Sequence, residues 1–223
     1  MQDQAMGVAL PERKRQPLLA LLALIPLAAC SPYADAERDV AAGGRGLAKL
    51  NPSPQQGYEL VLTLKDAPGP FAVVEGVAQY DVGNHKDCGR VLRATGTASR
   101  ITSQELVTLR KVGENEYRGT FYLDRMQDQD YYDRGVCHWT LTGVGAMLRA
   151  TTGEADTRFL TFIDKERMES DSPLTLYYPN LIYPRAATVA NFGASGEEDP
   201  SGYSEDLRNA LFSTTTTVQK LVP

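Results

Sequence analysis

The chain has 223 residues, and its 28 acidic and 23 basic side chains give a formal net charge of −5. Hydrophobic residues make up 42% of it, which is enough for one sizeable core. Nucleic-acid binding needs clustered Lys and Arg, and no such cluster follows Arg13-Lys14-Arg15. The composition therefore predicts a globular protein without a nucleic-acid partner.

The N-terminal residues have the pattern of a leader, that is, of a cleavable signal peptide. Arg13-Lys14-Arg15 is followed by a short apolar run over residues 18–27 and then by Ala28-Ala29-Cys30. A basic start, an apolar stretch and small residues before a cleavage position are typical of a secretory signal peptide. The apolar run is too short to span a bilayer.

The end of the leader, Leu27-Ala28-Ala29-Cys30, resembles the lipobox of bacterial lipoproteins. The resemblance implies cleavage before Cys30 and lipid on its thiol, which anchors the protein to a membrane. Because Ser31 rather than Asp follows, it also implies the periplasmic face of the outer membrane of a Gram-negative bacterium. The alternative is a plain signal peptide with an incidental cysteine.

Three segments are predicted along the chain. Residues 1–29 form the signal peptide, and residues 30–57 form a lipidated N-terminus with a flexible tether, because Gly, Pro and Ser interrupt any apolar period there. A short helix at 36–42 is the one element expected in the tether. Residues 58–223 form a single periplasmic β-domain.

Alternating apolar residues predict the strands of that domain. They indicate strands at 58–65, 74–82, 137–142, 159–163, 174–178 and 214–222, with a hairpin at 104–124. A bulge or break is expected at Gly143, after which the apolar positions change parity. Ser204 is expected to begin a short helix to Phe212. The fold class is all-β, an antiparallel β-sandwich or small barrel.

The cysteines predict one disulfide. With Cys30 acylated, Cys88 and Cys137 remain, and the periplasm is oxidising. Together with His85 and His138, the two cysteines would supply the four ligands of a zinc site. However, Cys137 and His138 are adjacent in a predicted strand, so their side chains should point to opposite faces and could not both bind one ion. We therefore predict the Cys88–Cys137 disulfide, with no metal or cofactor, and leave free thiols as a further alternative. Trp139 is expected in the core beside the disulfide.

Candidate catalytic groups are few. The chain has two histidines, and neither lies in a nucleophile motif. An acidic cluster lacks the spacing of a calcium-binding loop and is expected to be solvated; it consists of Asp124, Asp128, Asp130 and Asp133. We predict a non-enzymatic protein.

Tyrosines are the candidate partner-binding residues. Eleven tyrosines against six phenylalanines favour aromatic contacts that keep a hydroxyl for water or a partner. The candidates lie in two segments and are Tyr131, Tyr132, Tyr177, Tyr178 and Tyr183. The alternative is that at least half of these rings close the core.

Three short segments carry a second resemblance: residues 65–71, 130–132 and 135–139. Together with the lipobox, they resemble small proteobacterial lipoproteins, some of which are periplasmic immunity proteins against toxins delivered by rival cells. The resemblance implies a binding protein that blocks a toxin or hydrolase. Separately, the acidic charge balance is compatible with a basic partner. An envelope structural or assembly lipoprotein and an unrecognised periplasmic hydrolase are the alternatives.

Overall fold

The computed structural model describes residues 32–42, 44–92 and 94–222. Cys30 and the predicted signal peptide lie outside the described residues, so lipidation stays a prediction. No helix in the described part of the chain is long and apolar enough to cross a membrane. Within the described residues there are four short α-helices: α1 (Pro32–Ala41), α2 (His85–Cys88), α3 (Lys165–Glu169) and α4 (Glu205–Arg208).

In the part of the chain that the structure describes, ten strands form two five-stranded sheets. The strands are β1 (Gly57–Lys65), β2 (Val73–Val82), β3 (Thr102–Val107), β4 (Arg110–Lys111), β5 (Glu116–Tyr122), β6 (Trp139–Arg149), β7 (Arg158–Asp164), β8 (Leu174–Pro179), β9 (Gly193–Ala194) and β10 (Leu211–Lys220). The first sheet has the order β4-β5-β1-β10-β8 and the second has the order β3-β2-β6-β7-β9. All pairs are antiparallel except β7 with β9. The predicted all-β fold is confirmed, and of its two alternatives, a β-sandwich or a small barrel, the two sheets form the sandwich.

The core lies between the two sheets and follows the period of two in the sequence. In β1 the side chains of Leu60, Leu62 and Leu64 are buried, as the alternation predicts. An aromatic cluster fills one end of the core, where the Phe212 ring centroid lies 5.0 Å from that of Phe159 and 5.1 Å from that of Tyr178. Edge-on and offset contacts of this kind add to the free energy of burial.

The predicted register break in β6 is confirmed. Gln79 of β2 pairs with Gly143, but the next residue, Tyr80, pairs with Leu141, so Thr142 is an extra residue. A bulge of this kind moves the following side chains to the other parity. Val144 therefore faces the core, as Leu141 does before the bulge.

The predicted hairpin at 104–124 is wrong over most of its length. β3 pairs with β2 in the second sheet, whereas β4 pairs with β5 in the first sheet, so only the tip at 110–118 is a hairpin. Between β3 and β4 the chain crosses from one sheet to the other. Two glycines allow the crossing, since a Cβ at Gly119 would lie 2.6 Å from the Thr108 carbonyl oxygen, and one at Gly76 would lie 2.6 Å from the Val107 carbonyl oxygen.

Residues 44–56 lie against the sandwich and do not form the flexible tether predicted for 30–57. The Gln127 N–H donates to the Lys49 carbonyl at 2.9 Å, and the Asn51 N–H donates to the Arg125 carbonyl at 2.8 Å. The sequence does not reveal this docking, because backbone hydrogen bonds and a few separate apolar side chains such as Leu47 and Leu50 make it, and neither leaves a hydrophobic period. The predicted short helix at 36–42 overlaps α1, which begins earlier, at Pro32, and ends at Ala41.

The C-terminal helix is confirmed but is shorter than the predicted range of Ser204 to Phe212. α4 ends at Arg208, and Phe212 already belongs to β10, where it pairs with Tyr178. Burial of the Phe212 ring between the sheets outweighs continuation of an exposed helix.

Candidate binding cleft

The predicted disulfide between Cys88 and Cys137 is confirmed, with a Cα–Cα distance of 5.3 Å. It lies in a small apolar cluster beside the main core, formed with Val82 and Tyr131. Trp139 packs against this cluster as expected, and its indole N–H donates to the Tyr131 hydroxyl at 3.3 Å. Because both sulfurs are bonded to each other, the zinc alternative is wrong.

Both histidines lie near this cluster. His138 is exposed, with Nδ1 2.7 Å from a carboxylate oxygen of Asp128. His85 begins α2, and its Nδ1 lies 3.3 Å from the Val82 carbonyl oxygen. The two imidazoles therefore have separate partners.

The five predicted partner-binding tyrosines do not form one surface. Tyr178 has no exposed surface and its hydroxyl donates to the Leu160 carbonyl at 2.8 Å. Burial raises the pKa of Tyr178. Tyr131 is also buried and donates to the Gln127 carbonyl. For these two residues the prediction of direct partner contact is wrong, because their rings close the main core and the disulfide cluster.

The other three tyrosines are half-buried and have different neighbours. The Tyr132 ring stacks on Tyr33 of α1 with a centroid distance of 5.6 Å. The Tyr183 hydroxyl donates to the Pro70 carbonyl at 2.5 Å. Tyr177 exchanges two backbone hydrogen bonds with Glu197. Partner binding by Tyr132, Tyr177 and Tyr183 stays a prediction, without a common patch to support it.

The acidic cluster is dispersed, and its carboxylates have different partners. Asp124 accepts from the backbone N–H groups of residues 55 and 56, and Asp130 accepts from those of residues 132, 134 and 135. Hydrogen bonds to the charged form lower the pKa of Asp130. Within residues 32–42, 44–92 and 94–222, no group of three His, Cys, Asp or Glu side chains is placed to hold a metal ion.

An open cleft of about 560 Å³ lies between β3 and β5. It lies where the two sheets part at the crossing from β3 to β4. Its buried lining joins one carboxylate to apolar residues and consists of Ala78, Tyr80, Glu105, Val107, Gly119 and Phe121. Exposed Leu106 and Val112 lie at its rim. The cleft therefore offers a hydrophobic floor that is open to solvent.

One side of the cleft is an unpaired edge of β5. The Leu123 N–H donates to the Gln56 carbonyl at 2.9 Å, which sets the alternation of hydrogen bonds between β5 and β1. By that alternation, Thr120 and Tyr122 direct their backbone groups away from β1. β4 ends before it reaches them. The Tyr80 hydroxyl crosses from the second sheet and donates to the Tyr122 carbonyl at 2.6 Å.

The opposite side of the cleft is the edge of β3. The Val82 N–H donates to the Ile101 carbonyl at 2.9 Å, so the backbone groups of Thr102, Gln104 and Leu106 point away from β2. No strand in the part of the chain that the structure describes lies beyond β3. Two strand edges with unpaired donors and acceptors therefore face one cleft.

A buried carboxylate lies in the wall of the cleft. Glu105 points inward from β3 with 10% of its side chain exposed. It accepts hydrogen bonds from Arg45 Nε at 2.6 Å, from Arg45 Nη2 at 3.1 Å and from the Ser103 hydroxyl at 2.9 Å. The hydrogen bonds to Glu105 raise the pKa of Arg45. This pair joins residues 44–56 to the second sheet and neutralises the charge of Glu105.

The remaining charges give the cleft a positive rim. Arg118 pairs with Glu59 at 3.0 Å and with Glu116 at 2.6 Å. Arg110 and Arg125 also line the cleft, and neither side chain makes an ion pair or hydrogen bond with another described residue. Although the chain is acidic overall, this site suits a partner group with a negative charge.

Sequence reasoning missed the cleft because it predicted a continuous hairpin across the crossing at residues 108–109. A signal was present in β3, where Ser103, Glu105 and Val107 share the inward face. A carboxylate on a buried face indicates either a buried ion pair or the lining of a cavity.

Compared with protein-family models, with curated protein sequences and with solved structures, the chain matches none at a significant level.

Proposed function

We propose that this protein is a lipid-anchored, non-enzymatic binding protein of the periplasm. In this proposal, Cys30 carries the lipid at the outer membrane, and the sandwich acts as an immunity protein or inhibitor that blocks a toxin or hydrolase. The observation that carries the proposal is the cleft, in which two strand edges with unpaired backbone groups flank an apolar floor.

The cleft has the features that extended polypeptide segments need. A strand edge supplies main-chain hydrogen bonds, and pockets for alternate side chains supply specificity. The backbone N–H and carbonyl of Thr120 and the N–H of Tyr122 offer the main-chain hydrogen bonds, and the floor around Phe121 offers the side-chain pockets. Arg110 and Arg125 add two donors for a carboxylate of the bound segment. A loop of a toxin held in this way has its backbone fixed and is no longer available for its own target.

The proposed location of the protein, at the outer membrane, depends on the segment Leu27-Ala28-Ala29-Cys30. Acyl chains on Cys30 supply about 0.8 kcal/mol for each methylene buried in the bilayer, and two or three chains hold a protein there for long periods. In this proposal the disulfide is consistent with the oxidising periplasm.

The test uses strains that lack this gene, with or without the adjacent gene for a secreted toxin. We expect sibling intoxication only where the toxin gene remains, and we expect the intact gene to restore survival. Restoration by Arg110→Glu with Arg125→Glu is expected to fall by at least about tenfold, because the new carboxylates repel the bound acidic group. The matched control is Lys65→Glu with Lys220→Glu, which makes the same charge change on exposed lysines outside the cleft.

The outcomes separate the parts of the proposal. If deletion causes no intoxication but makes the envelope permeable, the immunity role is wrong and the assembly role replaces it. If the double Arg variant protects as well as the control variant, the cleft is not the binding site.

A further inference from the structure

Glu105 is the buried charge of the cleft. Its side chain lies on the inward face of β3 with 10% of its surface exposed. Its field reaches the floor of the cleft, since burial raises the pKa of the Tyr80 hydroxyl and the negative charge of Glu105 raises it further. Salt screens a charge in such a wall only weakly, so an unpaired Glu105 would repel anionic groups from the cleft.

The other charged residues that line the cleft do not neutralise Glu105. They are Glu59, Arg110, Arg118 and Arg125. Arg118 pairs with Glu59 and with Glu116. Among the described residues, the side chains that donate hydrogen bonds to Glu105 are those of Arg45 and Ser103. The compensating positive charge therefore comes from Arg45.

Arg45 reaches Glu105 from outside the cleft. Its Nε and Nη2 atoms donate to the two carboxylate oxygens at 2.6 Å and 3.1 Å, a two-pronged geometry that only arginine provides. Arg45 is not among the described residues that line the cleft, and it lines instead a second cavity of about 200 Å³ with Leu47 and Ile101. The ion pair therefore lies between the two cavities.

The chain next to α1 positions Arg45. A carboxylate oxygen of Asp39 in α1 accepts from the Gly46 N–H at 2.8 Å. The helix in turn contacts the sandwich through Tyr33, whose ring stacks on that of Tyr132 with a centroid distance of 5.6 Å. The position of Arg45 thus depends on docking of the N-terminal part of the chain onto the sandwich.

We propose that Arg45 is a specificity-determining residue for the cleft, although it does not line it. Docking of residues 44–56 places its guanidinium on Glu105, which leaves Arg110 and Arg125 to set the charge that a partner meets. The cleft then prefers anionic groups. Without Arg45, the wall of the cleft carries an unpaired carboxylate. This inference rests on the proposed function in one respect, namely that the partner binds in the cleft.

The charge preference can be measured without the partner. Thr108→Cys places a thiol at an exposed position of the cleft lining, three residues after Glu105. In the full chain with this change, the anionic and the cationic methanethiosulfonate reagents are compared by their reaction rates. We expect Arg45→Met to lower the ratio of the anionic to the cationic rate about threefold at about 0.15 M salt, where the Debye length of about 8 Å confines the effect to nearby charges.

The ratio removes any change in the reactivity of the thiol itself, and the protein without Thr108→Cys supplies the background rate. Addition of Glu105→Gln to Arg45→Met is expected to restore the ratio, because the unpaired charge is gone. A loss that came only from loosened docking of residues 44–56 would persist in the double variant. If Arg45→Met leaves the ratio unchanged, or if Glu105→Gln does not restore it, the proposal is overturned.

Arg38→Met is the matched control. It removes an arginine of α1 whose ion pair with Asp35 is exposed, so it makes the same change in net charge and in side-chain type away from Glu105. We expect the rate ratio of this variant to equal that of the wild type. An equal fall in the two variants would show a general charge effect and would contradict the role of Arg45.

Survival in the sibling-intoxication assay is the second readout. We expect Arg45→Met to lower protection about tenfold and Arg45→Met with Glu105→Gln to restore it to within about threefold of the wild type. If the thiol ratio behaves as expected but no variant changes survival, the proposed function is wrong and the charge role of Arg45 stands. If Arg110→Glu with Arg125→Glu abolishes protection while Arg45→Met still protects fully, this inference is wrong and the proposed function stands.

Discussion

Asp156 shows how single polar residues stabilise the loops of this sandwich. It is 3% exposed, and its carboxylate accepts from the Thr151 hydroxyl at 2.6 Å and from the Thr151 N–H at 3.0 Å. Arg185 lies 3.4 Å from the other oxygen. The hydrogen bond from the Thr151 hydroxyl is the main cause of the lowered pKa of Asp156. The loop between β6 and β7 is thus closed by a charged group.

The pH dependence of stability follows from that shift. A carboxyl with a lowered pKa in the folded state stabilises the protein above its unfolded pKa of about 3.9, and this contribution is lost as pH falls through the folded pKa. We therefore expect Asp156→Asn to lower Tm at pH 7 and to reduce the fall in Tm below about pH 4. Thermal unfolding followed by circular dichroism measures both effects. A pH range of about 2.5 to 7 brackets the usual Asp pKa of about 3.9.

Asp133→Asn is the matched control for this change, because Asp133 is exposed and its carboxylate accepts no side-chain hydrogen bond from the described residues. It is expected to keep the wild-type pH profile. If Asp156→Asn keeps the same slope below pH 4 as the wild type, Asp156 is not the group responsible.

The two sheets are joined by hydroxyl groups as well as by apolar contacts. Thr161 of β7 and Thr216 of β10 are buried, and their hydroxyl oxygens lie 2.7 Å apart. These strands belong to opposite sheets, so the hydrogen bond crosses the core. A buried polar pair is stable only when each hydroxyl keeps its partner.

A double-mutant cycle tests this pair. Thr161→Val alone leaves the Thr216 hydroxyl without its partner, and we expect it to lower the free energy of unfolding by about 1–3 kcal/mol. Thr216→Val should behave in the same way. The double variant should lose less than the sum of the two, because it removes both polar groups. Urea unfolding gives all three values, and strict additivity would show that the hydroxyls do not interact.

The crossing from β3 to β4 is the element that creates the cleft. Local alternation predicts a hairpin there, because residues 104–124 have the right period and a Gly-containing turn. Pairing with β2 buries Val107 and Ser103 in the second sheet, which the local hairpin does not. The long-range pairing of β3 with β2 therefore replaces the local hairpin that the alternation predicts.

At the scale of the whole molecule, the disulfide connects segments far apart in sequence. It links the chain just after β2 to the chain just before β6, with a sequence separation of 49. Leu47 from the docked N-terminal segment and Ile101, the residue before β3, pack around it. The disulfide cluster therefore stabilises loops that do not contact the main core.

Removal of the disulfide should destabilise the whole protein. We expect Cys88→Ala with Cys137→Ala to lower the free energy of unfolding by about 2–4 kcal/mol, mainly because the unfolded chain gains conformational freedom. The urea midpoint measures the change, and the wild type under reducing conditions is the matched comparison. An unchanged midpoint in both cases would contradict a stabilising role for the bond.

The sequence by itself determined the strands and the cysteine pair. Two features depend only on neighbouring residues: the period of two in segments such as 58–65 and the parity change at Gly143. The predicted cysteine pair depends on the count of cysteines left after the predicted lipidation of Cys30 and on the predicted oxidising compartment. These features are local, so one sequence contains them. The predicted lipidation of Cys30 has the same local origin.

Only the tertiary structure decided which strands pair and which side chains meet. It placed Tyr131 and Tyr178 in cores, docked residues 44–56 on the sandwich, and brought Glu105 to Arg45 and Arg110 to the cleft. Each of these depends on a contact between residues distant in sequence, whose free energy is set by burial and by backbone hydrogen bonding. Alternation shows that a residue faces inward but not what it faces, and the cleft exists because part of the inward face of β3 has no strand opposite it.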